Sequence, residues 1–158
     1  MQDRPQNQES ATNGRQDLMA VLAGASAAEI RRGLARLSDL PEPSELRRPE
    51  TGLVMLRGRI AGQGARFNLG EATVTRASVR LPSGEVGASY LLGRDSERAR
   101  LGAFVDALWQ REDYRAAVET HILAPSRVRQ EAERQAKAAR TAATKVDFFT
   151  LVRGEDEI

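Results

Sequence analysis

Cysteine is absent from this chain of 158 residues. That excludes disulfides and cysteine-ligated metal or iron–sulfur centres within it. Aromatic residues are scarce: Phe67, Tyr90, Phe104, Trp109, Tyr114, Phe148 and Phe149 are all there are. Alanine supplies much of the 41% hydrophobic fraction, and an alanine buries little area. The core is therefore lean, which leaves room for burial against a partner. No apolar run approaches the about 18 residues of a membrane-spanning helix, so no membrane insertion is expected. Residues Met1 to Gly14 are polar and lack the apolar centre of a secretory signal, so a cytoplasmic location is the expectation. Lysine is nearly missing too. Of 24 basic residues only Lys137 and Lys145 are not arginine, and the net charge is +2. The charges are interspersed, which argues against a polybasic nucleic-acid binder.

What is present reads as one domain. Residues 1–14 have the composition of a disordered tail, and 15–158 form the single domain. Leu18, Met19 and Leu22 at helical spacing predict a helix from Arg15 to Ala25. Ser26-Ala27-Ala28-Glu29 is a capping box opening a second helix to about Leu37. Pro41 to Ser44 reads as a linker closed by Arg47-Arg48-Pro49, and the β region is expected to begin at Gly52. One strand runs to Ile60. A glycine-rich loop follows, then a long strand from Glu71 to Leu81. Pro82-Ser83-Gly84 is a tight turn into a strand ending near Leu92. Pairing Leu81 with Glu85 places Arg76 opposite Tyr90, Arg80 opposite Val86 and Val74 opposite Leu92. Asp95 caps the next helix, whose buried stripe is Leu101, Phe104, Val105 and Leu108. Asp113 is expected to cap a short helix through Thr120. Pro125 suits the first turn of a long helix to Ala143, with Val128, Ala132, Ala136, Ala139 and Ala143 as its apolar face. Val146 to Val152 returns to strand character. The fold class is α+β: an antiparallel sheet of about four strands flanked by helices, with an N-terminal helical pair and a long C-terminal helix followed by a strand.

No catalytic constellation stands out, and no metal site is expected. Gly62-Gln63-Gly64 is not a dinucleotide fingerprint, because no helix begins after it; its glycines either permit a sharp turn or let backbone donors approach an anion. Arg57, Arg59, Arg66, Arg76 and Arg80 surround this loop. Such a group can be a solvated strand face, dock acidic residues of another subunit, or hold phosphate through bidentate bonds. His121 is the sole histidine, with no second group at a recognisable spacing. Phe148 and Phe149 must point to opposite sides of a strand, so one ring needs a cover outside the layer that buries the other. With Arg153, they are candidate interface residues.

From Asp17 to Glu155 the chain resembles the G subunit family of the bacterial carbon–phosphorus lyase system. The resemblance rests on ordered blocks: Thr51-Gly52-Leu53-Val54, the stretch from Gly62 to Leu81, Tyr90-Leu91-Leu92-Gly93-Arg94-Asp95, and Val146 to Glu155. It implies membership in a core complex with H, I and J subunits, most directly the I subunit, in phosphonate catabolism. That complex acts on MgATP, displacing adenine from ribose C1′ with an alkylphosphonate to give, from methylphosphonate, alpha-D-ribose 1-methylphosphonate 5-triphosphate. The resemblance carries no defined catalytic residue onto this chain and implies no cofactor of its own. The expectation is a noncatalytic assembly subunit of a transferase complex, docking the I subunit through the sheet and terminal strand. A direct phosphate-binding subunit, or a free-standing anion or nucleic-acid binding module, is the alternative.

Overall fold

The computed structural model describes residues 6–60 and 63–144. In chain order they form helices α1 (Gln6–Gly24) and α2 (Ala27–Leu34), strands β1 (Ser44–Arg59), β2 (Arg66–Arg80) and β3 (Val86–Leu92), then helices α3 (Ser96–Gln110), α4 (Glu112–Val118) and α5 (Ala124–Ala143). Among the described residues the sheet has three antiparallel strands in the order β1-β2-β3. The α+β class stands, with three strands rather than about four. The expected fourth, Val146 to Val152, lies outside the described residues.

Local chemistry accounts for several boundaries. The capping box opens α2: Ser26 N donates to Glu29 Oε2 at 2.8 Å, and Glu29 N donates to Ser26 Oγ at 3.3 Å. Asp95 caps α3 by accepting from Arg98 N at 2.9 Å. At the hairpin, Leu81 N donates to Glu85 O at 2.9 Å. The turn fixes the register, and Arg76 faces Tyr90, Arg80 faces Val86 and Val74 faces Leu92, as the sequence predicts.

Other boundaries differ. The first helix starts at Gln6, inside the stretch read as tail. Strand β1 starts at Ser44, within the expected linker, and runs through Pro49. The ladder breaks register between Arg47 and Glu50, and β1 is an edge strand, so the proline's missing N–H costs no ladder bond. Strand β2 likewise begins at Arg66 rather than Glu71. Asp113 does not cap α4; that position belongs to Arg111, whose Nε donates to Asp113 Oδ1 at 3.0 Å. Nor do α4 and α5 separate, because a π-helical turn, Glu119–Leu123, joins them. Pro125 cannot donate back into that turn. Gly33 of α2 makes the room it needs: a Cβ there would lie 2.4 Å from Ile122 Cγ1 and 2.7 Å from the His121 carbonyl oxygen.

The core lies between one face of the sheet and the helices. Ala77, Val79, Leu81 and Leu91 meet Leu101, Val105 and Leu108 of α3, with Leu18, Leu22 and Ile30 behind. Phe104 is only partly buried. At Gly87 the backbones of β3 and α3 approach so closely that a Cβ would sit 2.0 Å from the Ala103 carbonyl oxygen. A fully buried carboxylate ties three elements together. Asp106 accepts from Arg15 Nε at 2.8 Å and Nη2 at 2.6 Å, and from the Ala88 N–H at 2.8 Å. The hydrogen bonds to Asp106, foremost, hold the Arg15 guanidinium's pKa above its ordinary value.

A two-stranded arm as the candidate partner-binding site

Strand β3 pairs with β2 only from Val74 to Arg80, whereas β1 and β2 remain paired out to Arg59 and Arg66. Beyond Val74 the described sheet is therefore a two-stranded arm. Its base is fastened where β3 stops. Thr75 Oγ1 donates to Gly93 O at 2.7 Å, accepts from Asp95 N at 3.2 Å, and lies 3.3 Å from Thr51 Oγ1. The last backbone bond on this edge runs from Gly93 N to Thr73 O at 2.8 Å. From Arg66 to Ala72, the edge of β2 has no neighbouring strand among the described residues.

The arm exposes apolar side chains that a free sheet would hide. Leu53 is 62% exposed, Ile60 72% and Leu69 65%; Met55, Leu56 and Phe67 are also exposed. An isolated two-stranded ribbon is at best marginally stable in water, and contiguous exposed apolar surface marks an interaction site.

A bulge sorts the arginines. Leu56 pairs with Gly70 and Arg57 with Asn68, so Leu69 is the extra residue on β2. Gly70, at φ 151, supplies a conformation other residues rarely adopt. The bulge inverts the alternation of β2 on its outer side. Arg66 therefore joins Arg59, its direct partner, on the face that carries Arg57, Met55 and Leu53. Arg76 and Arg80 fall on the opposite face, beside Tyr90. The five arginines expected as one group thus form two.

The groups also differ in what they touch. Arg76 Nε donates to Glu50 Oε1 at 2.6 Å, and Arg47 Nη1 donates to the same oxygen at 2.5 Å. Those bonds, Arg47's first, hold the Glu50 carboxyl below its ordinary range. Arg57, Arg59 and Arg66 are exposed and have no ion-pair partner among the described residues. Like charges directly opposite each other destabilise a ladder, so the Arg59–Arg66 pair is a cationic tip with no ion-pair partner among the described residues. Of the glycine-rich loop, Gly62 lies outside the described residues, as do Phe148, Phe149 and Arg153.

His121 sits on the π-helical turn, lining a cavity of about 310 Å³ with Glu29, Arg32, Arg36 and Ser126. Among the described residues its ring makes no hydrogen bond to a carboxylate that could orient it as an acid or base, and no group of three or more acidic, histidine or cysteine side chains is disposed to hold a metal ion. The exposed apolar residues Leu53, Met55, Leu56, Ile60 and Leu69 escape a sequence reading that assigns function by charge. Their signal is the run Leu53-Val54-Met55-Leu56, apolar on both faces of a strand, which is the pattern of a strand covered on both sides.

The sequence profile of phosphonate metabolism protein PhnG matches residues 13–154. The alpha-D-ribose 1-methylphosphonate 5-triphosphate synthase subunit PhnG of Rhizobium meliloti (strain 1021) is 53% identical to this chain over 143 residues, covering 90% of each. A match of that extent takes in both strands of the arm, the bulge between them and the helical body that carries them. The chain belongs to the PhnG family of phosphonate metabolism proteins.

Proposed function

We propose that this chain is a noncatalytic subunit of an alpha-D-ribose 1-methylphosphonate 5-triphosphate synthase. Its task in that reading is to dock the complex's other subunits, the I subunit most directly, so that an alkylphosphonate can displace adenine from MgATP elsewhere in the assembly. The similarity to the Rhizobium subunit supports the system. The arm supports the role: it exposes Leu53, Ile60 and Leu69 beside a strand edge that is unpaired among the described residues, which suits burial against a partner better than free solution.

Co-expression with the remaining synthase subunits, followed by gel filtration and mass spectrometry, tests this. A stoichiometric complex whose synthase activity disappears when the chain is omitted is expected. A chain that elutes alone, beside subunits that are fully active without it, overturns the reading. A second reading gives Arg57, Arg59 and Arg66 to the substrate's triphosphate, because guanidinium forks suit phosphate. Replacing all three by Ala would then raise KM for MgATP in an intact complex, and an unchanged KM rejects it.

A further inference from the structure

We propose that the arm receives an extended segment of another synthase subunit along the open edge of β2, from Arg66 to Ala72, and that this segment alternates carboxylate and apolar side chains. The inference rests on the subunit reading above. The observations carry it in three steps.

Among the described residues the edge is vacant in a way that fits a strand. Strand β3 occupies the same edge only from Val74 onward, and the Gly93-to-Thr73 bond closes that pairing. An incoming strand would continue the sheet in the lane β3 leaves, with its backbone groups meeting those of β2.

The two faces of the arm ask for different side chains. One carries Arg57, Arg59 and Arg66, which have no ion-pair partner among the described residues; the other carries Leu56 and Phe67, with Leu69 at the bulge. A Cβ at Gly58 would lie 3.6 Å from the Phe67 ring and 4.0 Å from Leu69 Cβ, so these groups cluster there. Successive residues of a strand project to opposite faces. A segment covering both faces therefore places a carboxylate on one side and an apolar residue on the other. Glu71 lies on the arginine face opposite Met55, so the carboxylates fit the outer end, beside Arg66.

Charge also selects the occupant. A second copy of this chain would bring the same three arginines against these, and like charges facing each other across a ladder repel. A free triphosphate would satisfy the guanidinium groups but leave the apolar face and the backbone edge open.

Hydrogen exchange read by mass spectrometry, on the chain alone and in the co-expressed complex, tests the inference without altering a residue. Amides of Arg66 to Ala72 are expected to slow by about tenfold or more in the complex. A companion variant, Arg57→Glu/Arg59→Glu/Arg66→Glu, is expected to weaken assembly by about tenfold or more, with the deficit shrinking as salt is raised. An assembled complex in which this edge exchanges as before overturns the inference while leaving the subunit reading intact. So does a triple variant that assembles normally but shows a raised KM for MgATP. Edge protection that appears in the isolated chain as it dimerises overturns it in favour of a second copy. If the unaltered chain forms no complex at all, the subunit reading fails, and the inference with it.

Discussion

Asp106 has no contact with water, yet it is a carboxylate in a helix interior facing the sheet. It is tolerable there because the Arg15 fork and the Ala88 N–H together supply its hydrogen bonds. Removing one partner of a buried pair strands the other charge. Arg15→Ala should therefore destabilise the protein by about 3 kcal/mol, the low end for such pairs because the guanidinium is itself partly solvated. Urea unfolding measures this; a change within error would mean that water replaces the arginine. Glu29 makes a second residue-scale case. Partial burial would raise its pKa, but the bonds from Ser26 N and Oγ and from Arg129 outweigh that and leave it below its ordinary 4.5. A depressed carboxylate contributes stability above its unfolded value, and the contribution is lost as pH falls through the folded one. Glu29→Gln should thus lower the melting temperature at pH 7 and converge with the parent chain well below pH 4.5. Melting curves that stay equally separated at low pH would show that the ionised form contributes nothing.

At the scale of elements, legibility follows the range of the forces. The turn at Pro82-Ser83-Gly84, the Asp95 cap and the Ser26–Glu29 box are set by a few adjacent residues, so the β2–β3 register and two helix starts can be read directly. The start of β1 cannot. Whether Pro49 ends a strand depends on β1 being an edge with a register break at that point, which only pairing reveals. The apolar face expected on α5 is visible in its spacing, but Val128 is 72% exposed and the helix is exposed from Glu131 onward. Amphipathic spacing does not supply a neighbour to bury it. The bulge has the same character. Counting by twos puts Arg66 on the face of Arg76 and Arg80; the extra residue at Leu69 moves it to the other. Gly70→Val, which disfavours the φ 151 backbone at the bulge while keeping the residue count, should restore simple alternation and turn Arg66 and Phe67 over. The helical signal in circular dichroism should persist, because the body does not depend on the arm, while assembly with the synthase subunits falls by about tenfold, or 1.4 kcal/mol. Undiminished assembly would mean that the side chains' placement on the arm is immaterial.

At the scale of the whole molecule, the described residues form a packed body and a sheet extension that no other described element covers. The body is the part the sequence describes best, since its buried stripes repeat at helical spacing. The candidate site is the part it describes least, because an arm is defined by where β3 ends rather than by any motif. Arginines are visible as a group near the glycine-rich loop; that Arg76 alone of the five has an ion-pair partner among the described residues depends on the Glu50–Arg76 pairing across β1 and β2. Stability should be uneven in consequence. Limited trypsin treatment of the isolated chain should cut first after Arg57, Arg59 or Arg66, well before any arginine of α3, and the same bonds should be protected in the assembled complex. Earlier cleavage within α3 would show that the arm is not the least stable part of the fold.

The unbroken passage from α4 through the π-helical turn into α5 has a geometric consequence. From Glu131 to Ala143 the helix is exposed throughout, and at 1.5 Å per residue that length amounts to about 20 Å. The contact of α5 with the body ends near Gln130, whose Nε2 donates to Val21 O at 2.8 Å; beyond that point Glu133, Arg134 and Lys137 form one wall of an open groove whose other wall is Asp17 and Ala20 of α1. Removing one helical turn after Lys137 would shorten the rod by about 5 Å and leave both the groove and the core untouched.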